Sequence, residues 1–189
     1  MHISPGLKVL GFDDGPFRRG GSEPVQVVGA LYRGGDFLEG VLCTSITRDG
    51  DDATERLIAV VTGSRFYPQI HVLLLNGLTL GGFNVVDLPG LYRGTGLPVV
   101  AVMRREPDFV ALKAALDKVP NGSAKWERIQ AAGPVRKLND LFGQPCGLSE
   151  SEARALLAQI TRRGKYPEPL RVAHLIASGL VTGESHGRP

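Results

Sequence analysis

The sequence predicts an α/β fold: a five-stranded mixed sheet, order 3-2-1-4-5, flanked by helices. Two observations predict it. Three apolar β-type segments open the chain, the second and third joined by hairpin chemistry, and from residue 48 onward helical periodicity alternates with short apolar runs. The composition allows a proper core, with 42% hydrophobic and 22% charged residues in 189, which excludes a chain disordered throughout.

Residues 7–12 (LKVLGF), 24–33 (PVQVVGALYR) and 37–47 (FLEGVLCTSIT) read as strands, with RGGD as the turn between the last two. "DGDDATERLIAVVTG" (49–63) reads as a helix, with acids at its positive end and a glycine stop. "IHVLLLNG" (70–77) and "LPVVAVM" (97–103) lack alternation, as expected of strands buried on both faces. A helix interrupted by Pro89 is expected around "NVVDLPGLY" (84–92). Another spans 107–119, with Phe109, Leu112, Leu116 and Val119 on one face. The last third is expected to be helical. Residues 148–164 carry a Ser149 cap with Glu152 three residues on, and 168–179 begin after a proline and end in glycine. The tail, LVTGESHGRP, is expected to be mobile or to dock over the cleft. The two later strands need crossovers and lie parallel to the first. This element order is that of a ribonuclease H-like domain, expected to occupy residues 1–189 as one unit.

The net charge of +3 and pI near 9.0 allow a polyanionic partner without requiring one. Cys43 and Cys146 match no metal or redox spacing and read as small buried hydrophobes in a reducing compartment. No apolar run approaches the roughly 18 residues that span a membrane. The N-terminus does not read as a secretory signal. No membrane partner and a cytoplasmic location are the expectations; the oligomeric state is not indicated.

The first apolar segment ends abruptly in Asp13-Asp14-Gly15. Burying one acid beside a strand is costly, and two are worse. In the expected topology the first and fourth strands are neighbours, so Asp13 lies level with Asn76, and Asp49, Asp51 and Asp52 begin the helix nearby. Alternation along the strand sends Asp13 and Asp14 to opposite faces. Oxygen groups gathered in this way suit Mg²⁺ or Mn²⁺, hard cations that take oxygen ligands. A pair of such ions about 3.5–4 Å apart can promote phosphodiester cleavage. An Asx turn at 13–15 and helix capping at 49–52 are the structural alternatives. No GxxxxGK[ST] phosphate loop is present.

The segments "GFDDG" (11–15), "RDGDDATERL" (48–57), "NGLTLGGFNVVD" (76–87) and "KYPEPLRVAHLIASGLVTGESHGR" (165–188) resemble the endonuclease dU family, a relative of endonuclease V. The resemblance implies a ribonuclease H-like fold and Mg²⁺-dependent (or Mn²⁺-dependent) cleavage of nucleic acid, DNA before RNA, near uracil or hypoxanthine. By position, Asp13 resembles the metal ligand of the first strand, and Asp49 or Asp52 the second acid. Asn76 stands where relatives have aspartate, which weakens the expected hold on a metal. Gly81, Gly82 and Asn84, with Pro167, Arg171 and His174, fall in the segments implied to shape the substrate cleft. His174 occupies the place of an acid in Pro-Glu-Pro-x-Arg-x-Ala-Asp. Endonuclease V has a metal-site histidine that "LFGQPCGLSE" (141–150) lacks, so Asp14, Asp87, Glu184 and His186 are further candidates.

Three functional classes follow: an endonuclease on deaminated nucleic acid, a degenerate non-cleaving nucleic-acid binder, and an enzyme on a small phosphate substrate. Trp126 and Tyr92 could stack on an extruded base or simply pack in the core. The pairs Arg18-Arg19, Arg104-Arg105 and Arg162-Arg163 could contact phosphates or be ordinary solvated surface.

Overall fold

The structure, a computed structural model, describes residues 3–18 and 23–187. Of the residues singled out above, Arg19 and Arg188 lie outside these ranges.

The chain opens with strands β1 (Lys8–Asp14), β2 (Val25–Arg33) and β3 (Phe37–Ile46), then helix α1 (Ala53–Thr62) and strand β4 (Val72–Asn76). A small hairpin, β5 (Thr79–Leu80) and β6 (Asn84–Val85), leads to α2 (Leu88–Thr95) and β7 (Val99–Met103). Helices α3 (Phe109–Leu116) and α4 (Gly122–Ala131), strands β8 (Arg136–Leu138) and β9 (Leu141–Cys146), and helices α5 (Glu150–Ile160) and α6 (Glu168–Thr182) complete it.

The main sheet has seven strands, ordered β3-β2-β1-β4-β7-β9-β8. β1, β2 and β3 pair antiparallel; β1, β4 and β7 pair parallel; β9 returns antiparallel to β7. The expected five-strand order is its first five members, and the expected strand count is corrected by β8 and β9. β8 has only 3 residues, and β9 carries Gly143 and Pro145, both strand-weakening residues. Packing overrides that local preference, because Leu138 and Leu141 are buried in the core beneath α5.

The helix expected over 84–92 is also corrected. Asn84 and Val85 form β6, and Pro89 helps start α2, where Asp87 caps the helix by accepting from Gly90 N at 2.9 Å. The helix expected from Asp49 begins at Ala53. Asp49 has φ +51, a left-handed conformation that no helix contains. The capping box of α5, Ser149 with Glu152, forms as expected. Cys43 is exposed on the edge strand β3 and Cys146 half-buried, so neither is the deeply buried thiol expected.

Alternation along β1 sorts the two faces. Leu10 and Phe12 join the core under α1 and α2, whereas Val9 joins the one under α5 and α6. Asp13 is in phase with Val9, and Asp14 with Leu10. Gly11 is the position that lets α6 close on its face: a Cβ there would meet Pro169 C at 2.7 Å and Leu170 N at 2.9 Å. From that contact, two residues of strand rise about 6.6 Å and five of helix about 7.5 Å. Those two paths end at Asp13 and His174. Among the described residues, no helix is long and apolar enough to cross a membrane.

Candidate active site

Asp13 is 2% exposed, yet every oxygen of its carboxylate is engaged. Oδ1 accepts from Asn76 Nδ2 at 2.9 Å and from Asp14 N at 3.0 Å. Oδ2 faces His174 Nδ1 at 2.9 Å. The first contact is fixed by the sheet: Phe12 pairs with Leu75, so the next positions, Asp13 and Asn76, lie side by side. Beyond Asn76, its Oδ1 accepts from the buried Tyr166 hydroxyl.

His174 faces an acceptor with each nitrogen. Nδ1 meets Asp13, and Nε2 meets the His186 carbonyl at 3.1 Å. Two acceptors require two protons, so this arrangement suits the imidazolium. The pKa is raised accordingly, first by the bond to Asp13, against the opposing effect of burial. The tail reaches this site by folding back on α6. His186 N donates to Ser178 Oγ at 2.9 Å, and Ser185 Oγ to the Leu175 carbonyl at 2.7 Å. Residues 185–187 therefore lie against α6, and His186 borders the cavity described below. Glu184 is exposed and pairs with His186 Nε2 at 3.3 Å.

A cavity of ≈ 390 Å³ opens here, bordered by Asp13, Asp14, Phe17, Asn76, His174 and His186. A second cavity shares its Pro16, Phe17 and Thr182 wall and adds Arg18 and Arg48.

Asp14 turns to the other face of the sheet, where its Oδ2 accepts from Gly81 N at 2.9 Å. Burial, then the neighbouring charge of Asp13, pushes its pKa up to about 6. Gly81 also accepts from Asp49 N at 2.9 Å. Asp49 Oδ1 accepts from Phe83 N at 2.8 Å, and a Cβ on Gly82 would sit 2.3 Å from that oxygen. Gly82, with φ +87, is therefore glycine for both conformation and space.

Asp52 accepts from Thr47 N at 3.0 Å and from Asn84 Nδ2 at 2.7 Å. Burial opposes its charge, but the Thr47 and Asn84 bonds outweigh it and hold the carboxyl below its ordinary value. Asn84 is fully buried and its Oδ1 accepts from Ala53 N, tying β6 to the start of α1. Asp49 and Asp52 thus clamp a loop, and neither borders the Asp13 cavity, contrary to the expectation that one would share it. Pro167 precedes α6, and Arg171 is held by Glu168 Oε2 at 2.6 Å, also away from that cavity. Trp126 packs edge-to-face on Phe109, and Tyr92 lies against Gly147. Among the described residues, no group of three or more His, Cys, Asp or Glu is placed to hold a metal.

Tyr166 is the residue that sequence reasoning missed. The available signal was its place directly before Pro167, where the chain is restricted to an extended conformation.

Fold and site define a mixed α/β protein with an acid–imidazole pair at the ends of its central parallel strands. The chain belongs to the endonuclease dU family, whose signature matches residues 5–181. The UPF0215 protein of Methanosarcina acetivorans is 46% identical over 194 residues, covering 100% of this chain and 97% of that protein. A crystal structure of a protein of unknown function from Archaeoglobus fulgidus has TM-score 0.87 and 39% identity, over 96% of this chain and 99% of that one. Endonuclease V of Bacillus subtilis has the same fold at TM-score 0.62 and 10% identity, covering 96% and 86%. Endonuclease V of Ciona intestinalis, solved with a 23mer DNA containing an inosine, has TM-score 0.58 and 12% identity, covering 88% and 81%.

Proposed function

We propose that the chain is an endonuclease that cleaves nucleic acid, DNA before RNA, at deaminated bases, uracil or hypoxanthine, from a single ribonuclease H-like domain. Membership of the endonuclease dU family and the fold shared with endonuclease V support the reading. The observation that carries it is the Asp13–His174 pair, the acid buried and the imidazole partly exposed, at a cavity that shares a wall with a second one bordered by Arg18 and Arg48.

In this reading Arg18 and Arg48 meet backbone phosphates. Asp14 is held by Gly81 N on the other face of the sheet, so the attacking water gives up its proton to the surrounding solvent. Water oxygen bonds to phosphorus, the bond to the leaving oxygen breaks, and His174 Nε2 gives that oxygen its proton. Asp13 holds the imidazole in place and balances its charge, and the strand displaces the His186 carbonyl to reach it.

Family resemblance brings Mg²⁺ or Mn²⁺ with it. The residues present do not fit such an ion in this arrangement. Both Asp13 oxygens accept hydrogen bonds, Asn76 turns its amide nitrogen inward, and Asp49 and Asp52 are committed to a loop elsewhere. No step above passes through a metal.

The test is cleavage of single strands carrying uracil or hypoxanthine, in Mg²⁺, in Mn²⁺ and in chelator. Wild type is expected to cut, with losses of about 10²-fold or more in Asp13→Asn and His174→Gln. Binding without cutting under every condition would establish the second reading, a non-cleaving binder, which the neutral Asn76 favours.

A further inference from the structure

Asn76 stands between two partners with opposite demands. On one side is the Tyr166 hydroxyl, which donates to Oδ1. On the other is the Asp13 carboxylate, which can only accept and takes Nδ2 at 2.9 Å. One orientation of the amide satisfies both. Turned over, it would set Oδ1 against the Asp13 oxygen with no proton between them. The Tyr166 proton, 3% exposed in its residue, would lose its acceptor. Tyr166 is itself held in place, with the Arg104 guanidinium 4.4 Å over its ring.

That orientation decides what can approach Asp13. Oδ1 is covered by Asn76 Nδ2 and Asp14 N, and Oδ2 by His174. A divalent ion needs converging oxygens. Asn76 could offer one only by turning its amide, which Tyr166 opposes.

We propose that Tyr166 is a positioning residue that locks Asn76 as a hydrogen-bond donor to Asp13 and thereby keeps divalent cations off that carboxylate. An asparagine at position 76 is then part of a metal-excluding site, with the charge of Asp13 answered by His174. This inference does not depend on the cleavage reading, because cation binding is measured directly.

The experiment titrates Mn²⁺ into wild type, Asp13→Asn, Tyr166→Phe and the double variant, reading free ion by electron paramagnetic resonance. Tyr166→Phe keeps the ring and removes only the hydroxyl. Wild type is expected to take up no more Mn²⁺ than Asp13→Asn. Tyr166→Phe should gain one Asp13-dependent site at least about tenfold tighter than any in wild type, the scale of one buried donor released. General damage to the fold would not create such a site. Equal binding by wild type and Tyr166→Phe, whether tight or absent, overturns the proposal. A second measurement needs no variant: proton–nitrogen correlation spectra of wild type. The Asn76 side-chain amide and His174 imidazole signals should not move in millimolar Mg²⁺, and movement of both overturns the lock.

Discussion

His174 Nδ1 and Asp13 Oδ2 meet at 2.9 Å, joining the last helix to the end of the first strand. The contact couples stability to pH. The imidazole pKa is raised above its ordinary 6.5, so its contribution is full below about that pH and is lost as pH rises through the raised value. Asp14 is raised from 3.8 to about 6, so the folded state holds its proton longer. Its contribution falls as pH climbs across that window, by about 2 kcal/mol once partial exposure is allowed for. Both act in one direction above pH 4, and thermal midpoints should fall in two steps on raising pH. Asp14→Asn should remove the lower step and His174→Gln the upper one. Asp52, with a lowered pKa, works the other way and loses its contribution as the solution becomes strongly acidic.

Gly11→Ala should destabilise the fold by about 2 kcal/mol, because the new methyl meets backbone atoms of Pro169 and Leu170 that cannot move aside. Denaturant titration measures it. The same displacement should loosen His174 from Asp13, so the upper pH step should shrink in this variant.

Lys125 is fully buried, and its Nζ donates to the Asp49 carbonyl at 2.5 Å and lies 4.0 Å from Asp51. Lys125→Met leaves that carbonyl without its donor and should cost about 1–3 kcal/mol. Arg128 reaches Asp51 at 3.5 Å from a partly exposed position, so Arg128→Ala should cost under about 1 kcal/mol. Equal losses in the two would show that burial is not what makes the Lys125 contact matter.

Arg48 borders the second cavity and donates from Nη1 to the Arg18 carbonyl at 3.0 Å. If it meets a phosphate, Arg48→Gln should weaken oligonucleotide binding alike for normal and deaminated strands. The slope of log affinity against log salt should fall by about 0.7–0.9, the share of one phosphate contact. Fluorescence anisotropy over a salt series reads both, and an unchanged slope would remove Arg48 from the interface.

Much of the architecture was legible in the residues. Hydrophobic patterning placed β1 to β4 and β7 in their observed order, because strands with one or both faces buried must carry the pattern in sequence. The Ser149 capping box was legible for a similar reason: its partners are three residues apart. The helix α4 and strands β8 and β9 were not. Their apolar residues are few, and their stability comes from neighbours distant in the chain.

The sequence by itself determined the family, the central strands, and the adjacency of Asp13 and Asn76, which follows once two parallel strands are aligned. Tertiary structure alone decided what those side chains face. Asp49 and Asp52 looked like ligands because carboxylates attract cations, yet backbone amides and Asn84 claim them locally. Asn76 looked like a weakened ligand, yet its amide nitrogen meets Asp13 while its oxygen meets Tyr166, ninety positions away. His174 becomes the counter-charge of Asp13 because Gly11 lets α6 approach. A residue's type sets what it can donate or accept; only the folded chain sets which partner arrives first and leaves no room for another.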